Sequence, residues 1–252
     1  MDLIEFEKEP VRRHPWEEVR FRFFARQLAR SGALAPGTTI LDVGAGDAWF
    51  SSRLARRVPR LKVTCWDAAY PLHPPADAAG CPPNVRIHLS STGPEERASV
   101  ILLLDVIEHV ADDVSFLGEL VRDSLQPGGL VLVSVPAWPS LYSSHDVRLK
   151  HHRRYTARAA RRCLRASGLE VVRSGGLFHL LLVPRALQVL WERLTGKAHP
   201  PQDLGHWKAS ELATALVEAA LSCDAALASL GSSLRCDLPG LSWWALCQKP
   251  SP

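Results

Sequence analysis

Apolar residues recur along this chain in two alternating rhythms. In residues 16 to 30 (WEEVRFRFFARQLAR), Val19, Phe23, Phe24 and Leu28 stand at near-helical spacing and predict an amphipathic helix that ends near Ser31-Gly32 and caps or flanks the core. Thr39-Ile40-Leu41-Asp42-Val43 is a β-rich run that breaks into Gly44-Ala45-Gly46, and WFSSRLARRV resumes helical spacing, so the segment reads strand, tight turn, helix. Further strands are expected at Leu61 to Trp66, Val85 to Leu89, Ser99 to Leu104, Gly129 to Val135 and 169 to 174, with a helix at 157 to 167 and helical stretches between most of the others. The unbroken LVLVSV of the fifth strand suits burial on both faces. Strands alternating with helices in this way predict an α/β fold, a sheet of mostly parallel strands with ligands at its carboxyl ends.

After residue 175 the rhythm changes. GLFHLLLVPRALQVLWERL and ASELATALVEAALSCDAALASL read as helices before a last strand at 241 to 247. The chain therefore divides into an N-terminal flanking helix (1–36), a core (37–176 with 236–252) and a helical insertion (177–235) acting as lid or interface. His179, Pro184 and Arg185 interrupt the first insertion helix well short of the roughly 20 residues that span a bilayer. Its apolar side is expected to bury on the core as a lid, with a peripheral membrane contact through 177–195 as the alternative.

A length of 252 residues with 46% hydrophobic and 22% charged composition supports one core of about 200 residues plus an embellishment, and sets aside disordered and fibrous readings. The formal charge of +4 gives no whole-chain signal for nucleic acid, so any basic function must be local. Cysteines 65, 81, 163, 223, 236 and 247 form no CxxC pair and suit reduced thiols, and the charged N-terminal stretch lacks the apolar run of a secretion signal, so a cytoplasmic location is expected.

Gly44 and Gly46 let the backbone approach a ligand where strand turns to helix. A dinucleotide fingerprint would need glycine at position 49, where Trp49 stands, so a nicotinamide dehydrogenase fits poorly. Asp67 ends the next strand at the spacing from which a carboxylate can accept both hydroxyls of a ribose, which points to a nucleoside-containing ligand.

These residues resemble the class I S-adenosylmethionine-dependent methyltransferases with the Rossmann-like fold, and within them the poorly characterised type-11 and type-23-like small-molecule subgroup. LDVGAGDAWFS is similar to the family's first motif, Asp67 to its ribose acid, LLLDVIEHV to its fourth-strand motif and LQPGGLVLVSVP to its fifth-strand motif. The resemblance implies a seven-stranded sheet of order 3-2-1-4-5-7-6 with the last strand antiparallel, a place that LPGLSWWALCQKP would fill. It implies S-adenosylmethionine as cofactor, with Gly44, Ala45 and Gly46 against it, Asp42 toward its methionine amino group, Asp67 on the ribose, Ala68 near the adenine and Asp105 at the methionine end. The chain departs from the family at Ala48, where a third glycine is usual, and at Leu89-Ser90-Ser91, where an acidic residue usually meets the adenine amino group.

Methyl transfer from a sulfonium is an in-line displacement in which alignment and a dry site carry most of the catalysis, with a base to remove the acceptor's proton. Glu108-His109 follows the fourth strand, and Ser143-Ser144-His145-Asp146 and His151-His152-Arg153-Arg154-Tyr155 follow the fifth, all at the carboxyl edge. HDVRLKHHRRYT and the early His14-x-Trp16 are similar to elements of the same subgroup. His145, His152 and Tyr155 are the candidates for acceptor binding or proton removal, followed by His109; a capping or hydrogen-bonding role is the ordinary alternative for each. No metal requirement is expected, since HHRRY sets positive charge beside the histidines and no carboxylate set is evident.

From Arg148 to Arg165 there are eight Lys or Arg and no acid, with Arg158, Arg161, Arg162 and Arg165 on one helical face. A solvated face explains them, and an anionic acceptor or membrane surface is the functional alternative. Nucleic acid is not an expected partner, because no aromatic-interleaved basic platform is evident and Asp105-Val106-Ile107-Glu108 lacks the Asn/Asp-Pro-Pro-aromatic motif of amino-methylating nucleic-acid enzymes. The expected function is methyl transfer to a small-molecule or lipid-like acceptor; the alternative is a non-catalytic S-adenosylmethionine-binding regulatory or assembly protein.

Overall fold

The computed structural model describes residues 13–75, 78–197 and 207–251. Residues 1–12 of the expected flanking segment and 198–206 of the expected insertion lie outside them.

Helix α1 (Pro15–Arg30) begins at a reciprocal cap. The His14 ring accepts from the Trp16 N–H at 3.2 Å, the Glu17 carboxylate accepts from the His14 N–H at 3.3 Å, and Pro15 occupies the first helical position, where no N–H is needed. Its Val19, Phe21, Phe23, Phe24 and Leu28 are buried, and each such side chain taken from water contributes about 1.5–3 kcal/mol. Phe23 meets Trp244 edge-on with ring centroids 5.1 Å apart, so the helix is a wall of the core.

Strands β1 (Thr39–Val43), β2 (Lys62–Trp66), β3 (Val85–His88), β4 (Ala98–Leu104), β5 (Leu125–Pro136), β6 (Glu170–Leu177) and β7 (Ser242–Gln248) form one sheet of order 3-2-1-4-5-7-6. β7 pairs antiparallel with both β5 and β6, and the other pairings are parallel, as the resemblance implied. Helices α2 (Trp49–Arg57), α3 (Asp113–Ser124), α4 (Ser144–Arg148) and α5 (Ala157–Ala166) lie in the connections. The central strands are buried on both sides: Ile101, Leu102, Leu103, Val131, Leu132 and Val133 have essentially no exposure, which is why they read as continuous apolar runs.

The insertion differs from expectation in two ways. Gly176 and Leu177, expected to open a helix, finish β6 opposite Trp243 and Ser242, and helix α6 (Leu182–Thr195) begins only after a turn at His179–Leu181. Gly176 passes so close to the backbone of Leu238 and Gly240 that no Cβ would fit, so the strand is held where helical periodicity alone suggested otherwise. The apolar side of α6 also does not bury on the core: Val189 is its one buried residue, and Val183, Leu187, Leu190, Trp191 and Leu194 are exposed. The core-facing side is polar instead, with Arg185 donating to Ser143 Oγ (2.7 Å), Glu192 accepting from the Ser144 N–H (2.9 Å) and Arg193 donating to the Ser140 carbonyl (2.6 Å).

Helix α7 (Glu211–Ser233) is long and apolar enough to cross a membrane by length and composition, but Thr214, Leu221, Asp224, Ala225 and Ala228 are buried in the fold, where the helix packs on α1 and β6. Asp224 accepts from the backbone N–H groups of His179 (3.0 Å) and Leu180 (3.1 Å), which fixes the start of α6 against it.

Candidate active site

The turn after β1 is built for close approach. Gly44 has φ +67° and Gly46 φ +55°, and a Cβ on Gly44 would lie 2.7 Å from Val106 Cγ2. Ala48, where the family usually has glycine, adopts the left-handed region (φ 57°) as the N-cap of α2, so its methyl group is accepted at the cost of a mildly strained backbone. Gly46 N–H donates to Asp67 Oδ2 at 3.0 Å and Ala69 N–H to Asp67 Oδ1 at 2.9 Å. These two bonds fix the carboxylate at the end of β2 while leaving each oxygen a further lone pair for a pair of hydroxyls. Ala68 beside it is exposed.

Asp42 is buried beneath the turn and accepts from Ser51 Oγ at 2.6 Å. Burial pushes its carboxyl up to about 7, so a cation brought beside it would favour its ionised form. The pocket above it is lined by Trp16, Glu17, Arg20 and Phe21 of α1 together with Gly44, Ala45, Asp47 and Trp49. Arg13 pairs with Asp47, and its guanidinium lies over the Trp49 ring, 4.9 Å from the centroid. The α1 side of this pocket was not foreseen from sequence, where the helix carried an amphipathic signal and the likeness of His14-x-Trp16 to the subgroup but no cofactor role. A turn that excludes a side chain, a clamped carboxylate and a buried acid in a pocket also lined by Arg20 fit a ligand with a ribose at one end and a charged amino-acid group at the other.

Asp105, immediately after β4, has φ 61°, a strained position for a non-glycine residue, and its carboxylate meets Arg20 and Ser134. The next turn carries Glu108, fully buried, and His109. His109 and His151 lie with ring centroids 4.6 Å apart.

Asp146 is the hub of the loop after β5. It accepts from His151 Nδ1 (2.9 Å) and Arg154 Nε (2.7 Å), and Arg185 Nη2 lies 3.4 Å away. Burial alone would raise this carboxyl, but the bonds from His151 and Arg154 hold it well below the usual carboxylate range.

The four candidates from sequence separate. His109 faces the His151 ring. His145 lies half-buried on α4, where burial and the nearby Arg185 push it down to about 4 and keep the ring neutral at physiological pH. His152 is exposed, and its backbone N–H donates to the Glu108 carbonyl at 2.7 Å. Tyr155 is buried, its hydroxyl 2.6 Å from Asp113 Oδ2 and 3.2 Å from the Ile107 carbonyl, which ties the post-β5 loop to the post-β4 turn. Burial and the Asp113 carboxylate raise that phenol well above its ordinary range. Sequence reasoning quoted His151 as part of a run without singling it out; its signal is the Asp146 five residues earlier. On α5 the exposed arginines are Arg158, Arg162 and Arg165, while Arg161 is taken up by Ser174 and Asp237.

A family model described as a methyltransferase domain matches residues 16–174. The chain is 34% identical over 133 residues to a ubiquinone biosynthesis O-methyltransferase of Paramagnetospirillum magneticum, a match covering 47% of this chain and 51% of that protein. It is 29% identical over 174 residues to a protein of Mycolicibacterium smegmatis named as a probable S-adenosylmethionine-dependent methyltransferase, covering 67% of this chain and 62% of that one. The chain thus spans between half and two thirds of the length of these relatives. Among solved structures, the cyclase SpnF superposes with a TM-score of 0.56 at 17% identity over 98% of this chain and 86% of that one. That likeness concerns the fold alone.

Proposed function

The chain belongs to the class I S-adenosylmethionine-dependent methyltransferases, and from that premise we propose that it transfers the methyl group of S-adenosylmethionine to an oxygen, nitrogen or carbon of a small or lipid-like acceptor. The observation that carries this reading is Asp67, whose two oxygens are held by the Gly46 and Ala69 N–H groups at the edge where β1 turns into α2. Gly44, Ala45 and Gly46 would lie against the cofactor, Asp67 would take the ribose hydroxyls, and Asp42 and Arg20 would meet the amino and carboxylate groups of its methionine end. The cofactor, when bound, supplies a methyl group on a positively charged sulfur. The chain's part is to orient the acceptor, keep water out and take up a proton.

A lipid-like acceptor is favoured by the apolar stripe of α6. This helix is bonded directly to the loop bearing His145 and Asp146, so a surface that suits a lipid phase borders the acceptor side. The likeness to a ubiquinone biosynthesis O-methyltransferase supports the same class.

Calorimetric titration with S-adenosylmethionine, S-adenosylhomocysteine and NADH in parallel tests the reading. Micromolar binding of the two adenosyl compounds, lost in Asp67→Ala, is expected. Preference for NADH, or adenosyl affinity unchanged in Asp67→Ala, would overturn it.

A further inference from the structure

Glu108 is the one fully buried carboxylate among the described residues for which no other residue donates a hydrogen bond to either oxygen. Burying an ionised carboxylate is costly unless it is paired or coordinates a metal. Two imidazoles stand beside it: ligand atoms of Glu108, His109 and His151 all lie within 4.8 Å of one another.

We propose that Glu108, His109 and His151 bind a divalent transition-metal ion at the acceptor side of the pocket. Three ligands from one carboxylate and two imidazoles are a donor set suited to Zn²⁺, Mn²⁺ or Fe²⁺, and they leave coordination positions open. Bonds of about 2.0–2.2 Å require only that the three groups draw in slightly. The support around them is of the kind metal-bound histidines need. His151 Nδ1 is engaged by Asp146 Oδ1 at 2.9 Å, which fixes the ring and leaves Nε2 to ligate. The two arginines of HHRRY that argued against a metal in the sequence are each paired with a carboxylate: Arg153 with Asp113 and Arg154 with Asp146. The missing carboxylate of the sequence expectation is Glu108, which the fold brings to His151 from a separate segment.

The ion's role rests on the methyltransferase reading. An open position beside the methionine end would hold an acceptor oxygen or nitrogen and lower its pKa, so that it reaches the methyl carbon deprotonated without a strong side-chain base. Metal binding itself is independent of that role.

The test is titration of the chelator-stripped full chain with Mn²⁺, followed by electron paramagnetic resonance of the free ion. Mn²⁺ is chosen because the exposed thiols of Cys223 and Cys236 would take up Zn²⁺. One ion per chain is expected, with affinity reduced at least tenfold in His151→Ala and in Glu108→Gln. Glu108→Gln is close to isosteric, so it should fold like the wild type and lose the rise in melting temperature that Mn²⁺ gives the wild type. No binding by the wild type, or binding unchanged in both variants, overturns the site. Mn²⁺ binding without adenosyl-compound binding would uphold the site and sink the functional reading instead.

Discussion

Arg20 Nη2 lies 2.6 Å from Asp105 Oδ2 and 2.7 Å from Ser134 Oγ, so a residue of the N-terminal helix closes the pocket between the carboxyl ends of β4 and β5. Asp105 holds its strained backbone at the same point, and Ser134 Oγ donates to Asp105 Oδ1 at 2.9 Å. The helix therefore lines the pocket as well as the core.

Arg20→Ala is expected to weaken S-adenosylhomocysteine binding about tenfold, the order of one charge-assisted hydrogen bond, while leaving the melting temperature nearly unchanged, because the apolar face of α1 stays buried. Calorimetry beside a thermal melt checks both. Unchanged affinity would make α1 a scaffold only.

The sheet and its motifs were legible because they are local. Strand runs, the glycine turn and the acid at the end of β2 announce themselves within short windows, and burial of β4 and β5 on both faces leaves an unbroken apolar signature. What was illegible depends on distant pairs. Arg20 meets Asp105, Tyr155 meets Asp113 and Glu108 meets His151 only through the crossovers, and no spacing rule connects them. The outward stripe of α6 was misread because periodicity shows that a helix has an apolar side but not which way it faces. That direction is set by Arg185, Glu192 and Arg193 gripping the post-β5 loop.

Asp42 gives a pH dependence with a definite sign. Its carboxyl, ordinarily near 3.8, is raised to about 7 by burial, so the folded protein holds a proton that the unfolded chain releases. The stability this contributes is complete below about pH 4 and is lost as the pH rises through 7. The melting temperature of the wild type relative to Asp42→Asn should therefore fall between pH 4 and 7 and level off above. Binding a cofactor ammonium favours the ionised form, so adenosyl affinity should rise over the same window. At pH 6 the binding heat should depend on the buffer, reporting a proton released. A buffer-independent heat at pH 6 would refute the assignment.

Tyr155→Phe separates a structural role from a chemical one. Removing the hydroxyl leaves the Asp113 carboxylate with Arg153 Nη1 at 3.1 Å but without its 2.6 Å donor. Losing one hydrogen bond to a charged acceptor costs about 1.5–3 kcal/mol, which for a chain of this size lowers the melting temperature by roughly 3–12 °C. Adenosyl affinity should be unaffected. A variant that melts like the wild type but loses turnover would return Tyr155 to the list of groups acting on the acceptor.

The α6 stripe makes the acceptor class testable without knowing the acceptor. Val183, Leu187, Leu190, Trp191 and Leu194 recur at helical spacing and are exposed, and the exposed Arg158, Arg162 and Arg165 of α5 add basic surface elsewhere on the molecule. Partial burial of several such side chains in an interface yields a few kcal/mol, enough for reversible association. The protein should co-sediment with vesicles of 70% phosphatidylcholine and 30% phosphatidylserine, and the triple variant Leu187→Gln, Leu190→Gln, Leu194→Gln should lose at least fivefold in bound fraction. Replacing phosphatidylserine with phosphatidylcholine should reduce binding further if the basic α5 face takes part. The substitutions remove no core contact, so the triple variant should keep the wild-type melting temperature and adenosyl affinity. Equal sedimentation of the two proteins would detach α6 from any lipid surface. A wild-type dimer that the triple variant disperses would assign the stripe to a second copy of the chain, and the lipid-like acceptor would then rest on the likeness to the ubiquinone-pathway relative alone.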